Sequence, residues 1–429
     1  MPPAGRCRRP ERRAGRPRGR VRRQGPAAGH LGAAHPGLTL TGPVAPRLLS
    51  RRHHLGPVAA LASSVAEAAA DLTGFHATDP TSVYLAAWAR VRAFRVTDLE
   101  RALYEDRSLL KIVGMRRTMF VVPRDLAAII QAACSDTVAA RERARLVGWI
   151  ERAGIAEDPD RWLARVEDET MAAFDRLGEA TASDLAREVP GLRERLRFET
   201  GRASDVDVGM STRVLFLLSA QGRILRGRPK GTLVSSLYRW VPMDRWLGDA
   251  LRVWPKPEAQ AELVRRYLAT FAPATLIDVA WWTGWTKAET KRALAAVGAR
   301  EAVLADGTSG WLPREWAAPP AAAEPWVALL GSLDATPMGW QERGWFLGPH
   351  KARLFDTNGN IGPSIWLDDR IVGGWAQRRD GEIRWRLLED VGREATTMIE
   401  AKVAELRAWL GPLRFIPRFR TPIEQELSA

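Results

Sequence analysis

Cysteine is nearly absent. Cys7 and Cys134 are the only two in 429 residues, and they fit no metal-binding spacing, which points to a reducing compartment. No apolar run is long enough, or free enough of charge, to span a bilayer; no membrane, no metal and no cofactor is expected. Acid is missing from the N-terminus: residues 1–46 hold ten Arg against a single Glu, a net +9 of the chain's +14, which leaves +5 for everything after. A segment of Arg, Pro, Gly and Ala cannot bury enough apolar surface to fold. It reads as a disordered tail with no specific role. A nucleic-acid-binding arm, an Arg-rich transit-like peptide with little Ser, and over-called coding sequence are the other readings. What remains is substantial. Hydrophobic residues make up 46%, enough for several cores, and the length suits three or four modules.

From Arg47 the pattern is helical. Ser64 to Leu72 and Val83 to Val91 read as two alanine-rich helices, and Thr97 to Tyr104 as a third, with Thr97 and Glu100 spaced as a capping box. Arg116-Arg117-Thr118-Met119-Phe120-Val121-Val122 ends in a strand stopped by Pro123. Helices followed by a strand outline a winged helix. The order returns twice. In 151–255 a capped helix at Thr181 and a helix at Ser211–Ser219 lead into a basic hairpin, Arg223 to Leu233, with Tyr238 to Pro242 returning. In 256–322 three helices lead into a hairpin with Asp306-Gly307 at its turn. An Ala/Pro-rich linker over 315–325 precedes a strand-rich end. There Trp340, Trp345, Trp366, Trp375 and Trp385 read as core, with base stacking as the minor alternative. The expected fold class is therefore α+β: a tail over 1–46, tandem winged-helix modules over 47–150, 151–255 and 256–322, and a C-terminal β-rich domain over 323–429.

Between the first two helices lies Gly74-Phe75-His76-Ala77-Thr78-Asp79-Pro80. Gly74 can stop one helix; Asp79 and Pro80 can start the next. His76 and Thr78 thus sit in a tight turn. On local sequence alone, Thr78 and Asp79 capping a helix and His76 simply packing is the plainer reading. The basic residues that can reach a DNA backbone are Arg116, Arg117 and the hairpin's Arg223, Arg226, Arg228 and Lys230. Such tips commonly meet phosphates, although Arg and Lys are ordinary at any solvated hairpin tip.

Beyond local signals, the chain from Arg47 to Ala429 resembles a family of actinobacterial winged-helix DNA-binding proteins. That family includes DNA glycosylases that excise alkylated purines and unhook interstrand crosslinks. The resemblance rests on the Gly74–Pro80 run and Trp88-Ala89-Arg90, on Asp98 to Tyr104 and Met115 to Val121, and on several C-terminal runs. Those are Leu333-Asp334, Gly344 to Gly348, Phe355 to Asn360, Gly373 to Gln377 and Pro417 to Pro422. It implies that His76 and Thr78 stand where the characterised glycosylases carry Gln and then Gln or Asp, which position the attacking water. This chain departs from that pair at both places. On that resemblance the catalytic candidates are His76 as a water-orienting base, Thr78 holding the water and Asp79 orienting His76 or offsetting the positive sugar. No lysine lies in the turn to form a Schiff base. The expected function is a monofunctional glycosylase acting on bulky N7-alkylpurines or crosslinks in double-stranded DNA, monomeric and cytoplasmic at the nucleoid. The alternative is a regulatory or architectural winged-helix protein that binds DNA without catalysis.

Overall fold

Threonine and aspartate caps set the helix starts. Thr181 accepts from the Asp184 N–H while Asp184 accepts from the Thr181 N–H; Thr275 with Asp278 and Thr286 with Glu289 do the same. Each reciprocal pair satisfies two orphan donors of a first turn. Asp79 caps helix Pro80–Trp88 and Asp158 caps helix Pro159–Leu177, both with proline in the first turn. The structure, a computed structural model, describes residues 38–39, 46–57, 60–198, 206–317 and 324–429.

These helices fall into an order that recurs three times. Helix Val65–Asp71 leads to the two-residue strand Phe75–His76, then helices Pro80–Trp88 and Val96–Tyr104, then the hairpin Leu109–Val113 with Met119–Pro123. Phe75 and His76 pair with Val121 and Phe120, which makes a three-stranded sheet. In the second unit, helix Pro159–Leu177 precedes Ala180, which exchanges two backbone hydrogen bonds with Trp240 (3.0 and 2.7 Å). Helices Ala182–Glu188 and Met210–Ala220 and the hairpin Ile224–Pro229 with Tyr238–Pro242 complete it. In the third, helix Lys256–Phe271 precedes Ala274, paired likewise with Trp311. Helices Leu276–Thr283 and Lys287–Ala296 and the hairpin Arg300–Val303 with Ser309–Leu312 follow. A short bridge after each first helix, two residues in the first unit and one in the others, is the shared device. It clips the helix pair to its own hairpin.

Strands Val327–Leu330, Ser364–Leu367, Arg370–Gln377 and Ile383–Leu387 then form an antiparallel meander. Helix Pro422–Ser428 covers its third strand and helix Gly392–Leu410 its first. Trp366 and Trp375 are fully buried, and Trp375 donates to the Leu330 carbonyl. Gly373 is forced: a Cβ there would stand 2.3 Å from the Arg386 carbonyl oxygen of the next strand. Helices and antiparallel sheets thus alternate along one compact unit, Leu38–Ala429, in a mixed α+β arrangement. Among the described residues no helix is long and apolar enough to cross a membrane.

Several elements differ from expectation. Arg124–Ile130 runs without a break through a wide turn, Gln131–Ser135, into Asp136–Arg152, whereas the sequence pattern reads as two separate helices, Asp125 to Ala133 and Arg141 to Trp149. The helix expected to begin at Thr97 begins at Val96, and in place of the expected Thr97–Glu100 box the Asp98 carboxylate accepts from the Arg95 N–H at 2.8 Å. Helix Pro159–Leu177 and the inserted hairpin Arg195–Phe198 with Val206–Gly209 were not anticipated. The tail over 1–46 lies outside the described residues except at its end. There Leu38–Thr39 pair in parallel with Ala302 and Val303, inside a stretch expected to lack structure.

Candidate active site

The turn is built by the first sheet. Helix Val65–Asp71 ends at Thr73 and Gly74, both at positive φ (54° and 105°). Gly74 also lies so close to the hairpin that a Cβ would meet Val122 at 2.7 Å. Phe75 and His76 then join the ladder, the Ala77 N–H donates to the Met119 carbonyl at 2.7 Å, and the Met119 N–H donates to Thr78 Oγ1 at 3.1 Å. The Thr78 hydroxyl thus ends the ladder as an acceptor, and its own proton stays free to donate. Asp79 is fully buried. One carboxylate oxygen accepts from the Thr81 N–H and hydroxyl (3.0 and 2.8 Å), the other from the Arg418 N–H (2.8 Å).

Register decides which way each side chain points. Phe75, Val121 and Lys111 lie in one row across the sheet; His76, Phe120 and Ile112 lie in the next. Neighbouring rows face opposite sides. Ala77, Lys111 and Met119 therefore face the first unit's own helices. There they line a small cavity with Arg226 and Tyr238 of the basic hairpin. His76 faces the third unit: its ring meets Phe120 edge-on at 5.2 Å, and Phe120 meets Trp282 at 6.4 Å. His76 is 5% exposed, and its Nδ1 is buried without a hydrogen-bond partner. Burial first, and the Arg116 charge second, push its pKa down to about 3. The imidazole is neutral throughout the physiological range, with a lone pair or N–H unclaimed by protein.

Around it stand three residues that sequence reasoning either left without partners or missed. Arg116 and Arg117 hold positive φ (52° and 67°) in the loop between the hairpin strands, a strained conformation of the kind found at functional sites. The Arg116 guanidinium lies 3.7 Å from the Trp281 ring centroid, and Arg343 lies 4.8 Å from the same ring. Trp281 carries no local signal beyond its place in an apolar helix, and Arg343 follows Trp340 in a loop of the C-terminal region. No nearby residue in sequence could have linked them.

Among the other predicted basic residues, Arg117 pairs with Glu142 at 2.9 Å, Arg223 with Glu167 and Asp168 at 3.5 Å, and Arg228 with Glu100 at 2.8 Å. Arg226 lies over Tyr238 (4.8 Å) and Trp240 (5.4 Å) with no carboxylate, and Lys230 is exposed. The hairpin thus reaches the turn from the Ala77 side through Arg226, and Arg116 reaches it from the His76 side. Asp79 makes no bond to His76. Its carboxylate is occupied in capping a helix and tethering Arg418.

A family model for AlkZ-like DNA glycosylases matches residues 69–409. The chain belongs to the AlkZ-like DNA glycosylase family. Among solved structures, the DNA glycosylase AlkZ of Streptomyces sahachiroi has the same fold, with a TM-score of 0.67 at 19% identity, over 87% of this chain and 97% of that one. No curated protein sequence matches the chain. Family membership makes the chain a DNA glycosylase with DNA as substrate. The family's matched span includes the turn, Arg116, Trp281 and Arg343.

Proposed function

We propose that this glycosylase is monofunctional and releases N7-alkylated purines, bulky adducts or crosslinked bases among them, from double-stranded DNA at His76. Its three helix-and-hairpin units act as tandem winged helices spanning about 47–150, 151–255 and 256–322, and 323–429 is a β-rich domain behind them. The protein works as a monomer in the cytoplasm, on the nucleoid. The observation that carries the reading is the unpartnered, buried Nδ1 of His76 in the family's water-positioning turn. A buried polar atom left unsatisfied costs about 1–3 kcal/mol, which a hydrogen-bonded water at Nδ1 would offset.

The chemistry asks little of the protein. An N7-alkylpurine is already cationic, so its glycosidic bond breaks with the electron pair returning to the purine, which leaves neutral. The sugar becomes an oxocarbenium ion, a water oxygen bonds to its C1′, and the water's spare proton passes to solvent. A neutral imidazole orients that water by hydrogen bonding. With its basicity lowered by burial it is not required as a strong proton sink. The free Thr78 hydroxyl holds the same water. Asp79 serves by fixing the turn and the Arg418 backbone, and Arg226 and Arg116 approach the backbone of the DNA.

The nearest lysine supports single-function chemistry. Lys111 belongs to the opposite row of the sheet and donates to the Tyr104 hydroxyl at 2.5 Å, so no amine is poised on the His76 side. The product is then an abasic site in an intact strand. The test is single-turnover release of 7-methylguanine. His76→Ala should slow release on the order of 10²-fold with duplex affinity nearly unchanged, and Thr78→Ala should cost less. Equal rates for wild type and His76→Ala would make His76 structural.

A further inference from the structure

Arg116 and Arg343 come from distant parts of the chain, yet both guanidiniums lie over the one indole of Trp281, at 3.7 and 4.8 Å. Many arginines here are bound to carboxylates, Arg117, Arg223 and Arg228 among them. Among the described residues neither Arg116 nor Arg343 has an ion pair. Arg116 Nε is buried without a partner. Arg343 donates Nε to the Trp340 carbonyl at 2.9 Å and reaches Met338 Sδ at 3.7 Å. The carboxylate nearest in chemistry, Asp278, is occupied: it accepts from the Thr275 N–H and hydroxyl and from the N–H groups of Gln341 and Glu342. Burial and mutual repulsion push Arg116 down to about 10, and burial does the same to Arg343. Two like charges held together at such a cost are a cradle waiting for an anion. All three side chains stay partly exposed, so a ligand can reach them. Trp282, next to Trp281 in the helix, meets Phe120, which meets His76 edge-on, and Arg116 closes the same hairpin as Phe120, so the cradle lies on the His76 side of the sheet.

We propose that Arg116 and Arg343, steadied by Trp281, clamp one backbone phosphodiester of the DNA beside the damaged nucleotide. The cationic base itself is excluded from this place, because two guanidiniums repel it. A planar guanidinium takes two phosphate oxygens at once, and two of them fix the phosphate's position and register without reading sequence. The consequence reaches His76. A bound phosphate neutralises the arginines, which otherwise oppose a developing sugar cation, and it sets the sugar's distance from the water. Arg343 comes from the C-terminal region, so the clamp also explains why the β-rich end is part of the enzyme. This rests on the reading of the chain as a DNA glycosylase.

The experiment is a scan of single methylphosphonate linkages, one at a time, on both strands around a 2′-fluorinated 7-methylguanine that resists release. Affinity is read by fluorescence anisotropy with wild type, Arg343→Gln and Arg116→Gln. One linkage near the lesion, or two adjacent ones, should weaken wild type by about tenfold, the scale of one charged hydrogen-bonded contact. The same linkages should leave both variants no weaker than they already are. If every linkage costs wild type and variants alike, the clamp is not a phosphate site. The wild-type scan stands alone should a variant fail to fold: a flat profile across the lesion overturns the proposal. Because binding is scored, a negative result here is separable from a wild type that releases no base, which would instead overturn the catalytic reading.

Discussion

The two histidines with the greatest burial, His53 and His76, separate packing from function. His53 is fully buried, and both its ring nitrogens are engaged, Nδ1 with the Thr336 hydroxyl at 2.9 Å and Nε2 with the Thr270 carbonyl at 3.2 Å. His76 is nearly as buried, and its Nδ1 has no hydrogen-bond partner. Both have pKa values lowered to about 3, burial being the first cause in each. The folded protein therefore leaves them neutral where the unfolded chain binds protons, between about pH 3 and the ordinary histidine value near 6.5. In that window stability rises with pH and is fully present above it, by about 1.4 kcal/mol per pH unit for each group. His54, raised by its bond to Asp71, acts in the opposite sense as pH rises past the ordinary histidine value. Urea midpoints taken between pH 6 and pH 5 should show His76→Ala with a shallower rise of stability with pH than wild type. Equal slopes would mean that His76 titrates normally in the fold. Base release from bound DNA should likewise stay flat from pH 6 to 8, because no histidine at the site changes charge there.

At the scale of elements, the turn was legible because its signals are local: Gly74 at positive φ, the Asp79 cap and Pro80 all act within one step of the chain. The C-terminal strands were legible from apolar runs bounded by turn residues: Ser364 to Leu367 and Arg370 to Gln377, between Asn358-Gly359-Asn360 and Arg379-Asp380-Gly381, read as strands and are strands. Helix Pro159–Leu177 was missed although Asp158-Pro159 repeats the Asp79-Pro80 start, and Leu163, Val166, Thr170 and Phe174 share one face. Charges between those positions hid the stripe. The inner pairing of the basic hairpin was not legible at all, because Glu100, Glu167 and Asp168 lie in other elements. That pairing sharpens what the hairpin can do. Surface ion pairs contribute at most about 1 kcal/mol, so phosphates can displace them, and among the described residues Arg226 and Lys230 have no ion pair to displace. With residues 1–37 removed, so that the tail's arginines do not mask the result, Arg226→Ala with Lys230→Ala should weaken binding to every duplex alike. The slope of log affinity against log salt should fall by about one for each phosphate that is no longer met by a cation. Unchanged affinity at all salt concentrations would remove the hairpin from the DNA interface.

Across the whole molecule, the runs that resemble the family turn out to be the places where distant parts of the chain meet around the turn. Arg90 and Asp334 form a fully buried bidentate pair (2.6 and 2.8 Å), and Arg90 also donates to the Thr336 hydroxyl, which in turn holds His53. Ser82 donates to the Ser332 carbonyl, and Asp79 accepts from the Arg418 backbone. Helix Pro80–Trp88 is thus fastened to the C-terminal region at its start, in its first turn and just past its end. Such a pair is costly to bury and more costly to break: removing one partner leaves an uncompensated charge, worth about 3–5 kcal/mol, whereas replacing both by apolar residues is often neutral. Arg90→Ala should therefore lower the unfolding free energy by about that amount, and Arg90→Met with Asp334→Leu should recover most of it. Base release should not follow stability. The double variant loses the hydrogen bonds that anchor the helix begun by Asp79, so under conditions where it is fully folded it should still release 7-methylguanine more slowly than wild type, with His76 untouched. If the double variant regains both stability and rate, the pair only holds the protein together, and the turn is positioned by its own sheet alone.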